Sequence, residues 1–200
     1  MGADYLTAKE RRIFQRLNTP EKIQGFIDEN LEYHYEDRWG SFRNVLKTGK
    51  ADCFEGALFS ASVLHFHGHT PHILCIEARN DADHNIALYR RNGLWGGIAQ
   101  SRYKDIKYRG PTHRSIKDLV MSYQPYYCLD ESDITNLTAR GYSRFNLMRF
   151  GTRWLEEDDL SFVEDFLWQL KFRFLFPRED RPRFYKVDKE TYNVLYIHGS

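Results

Sequence analysis

The chain has 200 residues, enough for one domain with a sizeable core. Its 29 Lys and Arg offset 28 Asp and Glu to a net charge of +1, which argues against a general polyanion binder and against nucleic acid. No apolar run approaches membrane-spanning length, and three cysteines are too few and too odd for a disulfide framework, so a reduced, cytoplasmic setting is expected.

In chain order, residues 6–17 read as an amphipathic, charged helix rather than a signal peptide. Thr19, Pro20 and Glu21 form a helix start, with a capping residue followed by proline at the first position. Ile23, Phe26, Ile27 and Leu31 make the apolar stripe of that helix. Residues 33–40, aromatic and charged, read as a loop. Ser41 can cap a short helix that Gly49 closes.

The sequence then reaches KADCFEGALFSASVLHFHG, residues 50–68. Asp52 is placed to cap a helix, and Glu55, three residues on, to reach back to the cap's own N–H. Cys53 falls at the first helical position. Ala57, Ala61 and Leu64 repeat at helical spacing behind it, and Gly68 supplies the stop. Free N–H groups and the positive end of the helix dipole favour a thiolate here. His65, His67, His69 and His72 crowd around Gly68, but their spacing matches no zinc pattern, and neither a metal nor a cofactor is expected.

After Gly68 the period becomes extended. Residues 73–78 read as a strand, residues 80–83 as a polar loop, and His84 opens the strand HNIALYRR. Asn92-Gly93 signals a two-residue hairpin turn into the strand LWGGIAQS. That turn sets Arg91 opposite Leu94, Ile86 opposite Ala99 and His84 opposite Ser101. Farther on, the spacing predicts a helix over 113–127, a strand over 142–150 and a helix over 160–172. A proline-bearing turn is expected at 178–183 and an edge strand or hairpin over 184–197. Cys75 and Cys128 are expected to be free, buried and uninvolved in chemistry.

The order of VLKTGKADCFEGALFSASVLHFHG and then DADHNIALYRRNGLWGGIAQS resembles the transglutaminase-like cysteine superfamily, the papain-related fold. The resemblance covers about residues 19–101. It implies an α+β fold in which N-terminal helices, the last bearing Cys53, pack on an antiparallel sheet carrying His84. It implies one domain over 1–200, with a core at about 19–110 and a C-terminal extension over 111–200. It implies Cys53 as nucleophile and His84 as its base. The product is acyl transfer or hydrolysis at an amide, peptide or ester bond, with a peptide, protein or small amide as substrate.

The family's third residue, an aspartate that orients the imidazole, does not carry over. Counting from Trp95, its position holds Ala99. Gln100, Ser101 and Asn85 are the polar residues nearby, and Ser101, opposite His84, is the expected orienter. The Cys53 backbone N–H is the expected oxyanion donor, with the Trp39 side chain completing the pocket. Alanine at position 99 also leaves room for an alternative, a catalytically weakened fold that acts as a binding or scaffold module.

Overall fold

The structure, a computed structural model, describes residues 5–36, 38–79, 81–127 and 138–177. The expectations at 178–183, at 184–197 and for Cys128 lie outside the described residues.

Helix α1 (Ala8–Arg16) starts at a reciprocal capping box between Thr7 and Glu10. Helix α2 (Pro20–Asn30) starts under Thr19, with Pro20 in its first turn. Helix α3 (Phe42–Thr48) is capped by Ser41 and ends at Gly49, whose φ of 65° is left-handed. Helix α4 (Cys53–Phe66) follows. It is buried on every side, Phe54 through Leu64 without a break, so it is the central helix of the fold and not an amphipathic surface one. The starts of α2, α3 and α4 match the expected capping residues.

Strands β1 (His72–Ala78), β2 (His84–Arg91), β3 (Leu94–Ile98), β4 (Arg109–His113), β5 (Ala139–Asn146) and β6 (Arg173–Phe174) make one antiparallel sheet in the order β4-β3-β2-β1-β5-β6. The hairpin register is the expected one. Arg91 pairs with Leu94 and Ala87 with Ile98 across a turn in which Asn92 and Gly93 both take positive φ. The ladder stops at Ile98, so the anticipated pairs beyond it, Ile86 with Ala99 and His84 with Ser101, are not formed.

The C-terminal half departs further from expectation. Helix α5 (Ile116–Met121), capped by Ser115, is much shorter than 113–127, because Pro125 falls within the stretch and a 3₁₀ turn replaces the last part. The strand predicted at 142–150 starts earlier, at Ala139, and gives way to a 3₁₀ turn at Leu147. Helix α6 (Arg153–Glu156) is a single turn, and helix α7 (Ser161–Leu167) is half the predicted length. Strands β4 and β6 were not anticipated.

Alternation along β1 and β2 gives the sheet two apolar faces. Ile73, Ala87, Tyr89 and Phe145 pack with helices α1 to α4 and with Trp154, Leu160 and Val163. Leu74, Ile76, Ile86 and Leu88 pack on the other side with Leu119, Val120 and Tyr123 of the α5 region. Among the described residues, no helix is long and apolar enough to cross a membrane.

Candidate functional site

Cys53 sits where the capped start of α4 meets the end of the sheet. The Glu55 N–H donates to Asp52 Oδ1 (2.8 Å), which is the expected cap. The Glu55 carboxylate does not reach back to complete a box. It is fully buried and accepts from three donors on the preceding loop. These are His34 Nε2–H at 2.5 Å, Arg38 Nε at 3.1 Å and the Gly40 N–H at 3.0 Å. His34, Arg38 and Gly40, in a stretch expected only as a loop, are therefore fastened to the helix that carries Cys53.

The Cys53 sulfur rests against the residues on either side of His84. It lies 3.8 Å from the Asp83 carbonyl and 3.9 Å from Asn85 Nδ2. Both Cys53 and His84 line one cavity of about 150 Å³, together with Tyr33, Ser101, Tyr126 and Tyr127. Among the described residues, no hydrogen bond joins the sulfur to the imidazole. Strand alternation explains this. Asn85 shares the α4 face with Ala87 and Tyr89, whereas His84 follows Ile86 and Leu88 to the other face, its ring 6.3 Å from that of Tyr123.

The orienting role falls to a group with no side-chain signature. The His84 Nε2–H donates to the Ile106 backbone carbonyl at 2.8 Å. That bond fixes the neutral tautomer with Nδ1 unprotonated, and Nδ1 has no partner among the described residues. Ser101 lines the cavity but does another job, its Oγ accepting from the Tyr103 N–H at 3.0 Å. Ala99 is clamped through its backbone by Gln24, which accepts from its N–H (3.2 Å) and donates to its carbonyl (3.1 Å). Trp39 is not at the cavity; its ring stands edge-on against Phe54, 5.3 Å away.

The electrostatics reverse the expectation drawn from the helix start. Loss of solvent around the sulfur, with the nearby Asp52 carboxyl adding to it, pushes the Cys53 thiol up to about 12. Donors at Asn85 oppose this without overcoming it. Burial pushes the His84 imidazole down to about 4; its bond to Ile106 acts against that and Arg109 acts with it. Burial likewise raises Asp52 to about 6. The site at rest is a neutral thiol beside a neutral imidazole.

Two buried polar atoms lack partners among the described residues: the Tyr127 hydroxyl, on a residue that lines the cavity, and Oδ1 of Asn85, whose amide lies beside the Cys53 sulfur. Buried orphans of this kind cost free energy unless something fills the site. Asn85 was within reach of sequence reasoning, because period-two alternation places the residue after His84 on the helix-bearing face. Ile106 was not, since a backbone carbonyl has no residue type.

The ligand-type atoms of His34, Asp52 and Glu55 come within 4.8 Å of one another. They do not suit a cation, because the Arg38 guanidinium occupies Glu55 and His34 meets it through an N–H. Two of the histidines around Gly68 have packing roles: His67 Nε2–H donates to the Phe14 carbonyl (2.8 Å), and the His65 ring packs on Trp154. Cys75 is buried and free.

Compared with known proteins, the chain matches no family model and no curated protein.

Proposed function

We propose that the cavity at Cys53 is the working centre of a transglutaminase-like cysteine enzyme of papain-like topology, acting on an amide or ester. One observation carries this reading: Cys53 opens a capped helix against the residues flanking His84, whose anchored Nε2–H leaves Nδ1 as the basic nitrogen. In the reaction, the thiol proton passes to Nδ1 and the sulfur attacks the carbonyl carbon. The Cys53 backbone N–H and the Asn85 amide, which lies 3.9 Å from the sulfur, serve as donors to the developing oxyanion. The carbon–nitrogen or carbon–oxygen bond then breaks, and the imidazolium returns its proton to the leaving amine or alcohol. Water or an amine attacks the thioester to release the acyl group. A peptide, protein or small amide fits this chemistry, in the reduced cytoplasmic setting that free thiols favour.

Specific observations favour a second reading, a binding module on the same fold. The thiol and imidazole are not bonded, their proton affinities differ in the wrong direction for transfer at rest, and alanine holds the carboxylate position. An activated ester separates the two. With p-nitrophenyl acetate, the enzyme reading expects a burst with one acetyl group on Cys53 by peptide mass analysis. Cys53→Ala abolishes the burst, and His84→Ala slows it about 100-fold. Acetylation that is absent, or indifferent to His84→Ala, establishes the binding module instead.

A further inference from the structure

A second cleft, of about 570 Å³, opens on the α5 side of the sheet, and Cys53 and His84 are not among its lining residues. Trp95 of β3, Tyr142 and Ser143 of β5 and Ser115 before α5 form part of its wall. Five cations complete it: Arg114, Lys117, Arg144, Lys171 and Arg173. Among the described residues, no carboxylate lines it.

Six basic residues elsewhere are held in ion pairs. Arg38, Arg43, Lys50, Arg91, Lys107 and Arg153 each face a carboxylate within 4.0 Å. Among the described residues, none of the five cleft cations makes an ion pair. They come from different elements, Arg114 and Lys117 from around α5, Arg144 from β5, Lys171 from the approach to β6 and Arg173 from β6 itself. The fold, and not a run of sequence, brings them together. Two are braced on rings: the Arg144 guanidinium lies 5.5 Å from the centre of Trp95 and the Lys117 ammonium 5.9 Å from that of Phe176.

Like charges gathered in a concave wall repel one another and focus a positive potential into the space between them. A chain with a net charge of only +1 therefore concentrates unpaired positive charge at one place. A single monovalent anion leaves most of that charge unmatched, whereas a short row of phosphates matches it. The volume lies in the range of a small-molecule site. The hydroxyls of Ser115 and Ser143 add neutral donors along the wall.

We infer that this cleft binds a small polyphosphate anion, either inorganic or the phosphate chain of a nucleotide, through the Arg114, Lys117, Arg144, Lys171 and Arg173 wall.

The test is calorimetric titration of the full chain with inorganic tripolyphosphate, and in parallel with ATP, at about 50 mM salt. Saturable binding is expected, weakening as salt rises. The double variant Arg144→Glu, Lys171→Glu is expected to bind at least tenfold more weakly. The milder double variant Lys117→Gln, Lys171→Gln, on two exposed side chains, gives the same direction if the first fails to fold. Equal affinities for the two probes assign the site to the phosphate chain alone, and tighter ATP assigns it to a nucleotide. Absence of saturable binding up to about 1 mM, or binding unchanged in a folded variant, overturns the inference. A single-stranded decanucleotide binding more than tenfold tighter than tripolyphosphate overturns it too, in favour of a nucleic-acid strand.

Discussion

His84 carries a pH dependence whose sign follows from its burial. The unfolded chain protonates this imidazole near pH 6.5, and the folded one only near pH 4, because the ring is 3% exposed and already committed to Ile106. The unfolded state therefore binds more protons between those values, and stability falls as pH drops through them. A shift of this size corresponds to roughly 3 kcal/mol. Asp52 works in the opposite direction, since its carboxyl is raised to about 6 and its contribution is lost as pH rises from about 4 to about 6. The two are separated by substitution. His84→Gln keeps a donor for the Ile106 carbonyl and removes the titration. Urea midpoints compared at about pH 7.5 and about pH 4.5 should show the parent losing roughly 2–3 kcal/mol more than the variant. Equal acid losses in the two proteins would show that His84 does not titrate as a buried neutral imidazole.

At the scale of elements, α4 and the strand behind it show what was legible in the sequence and what was not. Three helix starts could be read because capping is local: Thr19, Ser41 and Asp52 each accept from a nearby N–H. The Asn92-Gly93 turn was equally local and fixed the register. What could not be read depends on partners distant in sequence. Glu55 looked like half of a capping box and instead binds His34 and Arg38, because a fully buried carboxylate takes the strongest donors available. The thiol of Cys53 follows the same logic. Its helix position argued for a low proton affinity, but burial is a property of the folded whole and dominates. Strands β4 and β6 are short and lack an alternating pattern of their own, so only pairing reveals them. The seat of α4 on the sheet also has a local marker, Gly56. A Cβ there would come within 2.4 Å of the Gln100 Cβ, with the Gln100 backbone N at 3.4 Å behind it. Gln100 is not free to yield, since its amide donates to the Leu31 carbonyl and accepts from the Ser101 N–H. Gly56→Ala is therefore expected to destabilise by about 1–3 kcal/mol despite alanine's better helix propensity, measured as a lower urea midpoint. A variant as stable as the parent would mean that α4 slides on the sheet without cost.

For the molecule as a whole, the decisive contact is between the two halves of the sequence. Strand β1 lies between β2, its neighbour in sequence, and β5, which comes from more than sixty positions later in the chain. The β1–β5 ladder pairs His72 with Asn146 at one end and Ala78 with Ala139 at the other. The same C-terminal stretch supplies Phe145, Trp154, Leu160 and Val163 to the core on the α4 side. The residues after Gly110 therefore add strands to the sheet and supply part of one of its apolar faces. Truncation after residue 127 would leave β1 as an edge with unpaired N–H and C=O groups, and would bare the apolar surface that Trp154 and Leu160 cover. The shortened chain is expected to aggregate, or to remain soluble only without a cooperative thermal transition. The full chain should melt in one transition whose midpoint agrees by far-ultraviolet and near-ultraviolet circular dichroism. A truncated chain that melts cooperatively with native near-ultraviolet signal would establish residues up to 127 as an autonomous domain. The Cys53 cavity would then have to be regarded as built without β5, and the two clefts as belonging to separately folding parts.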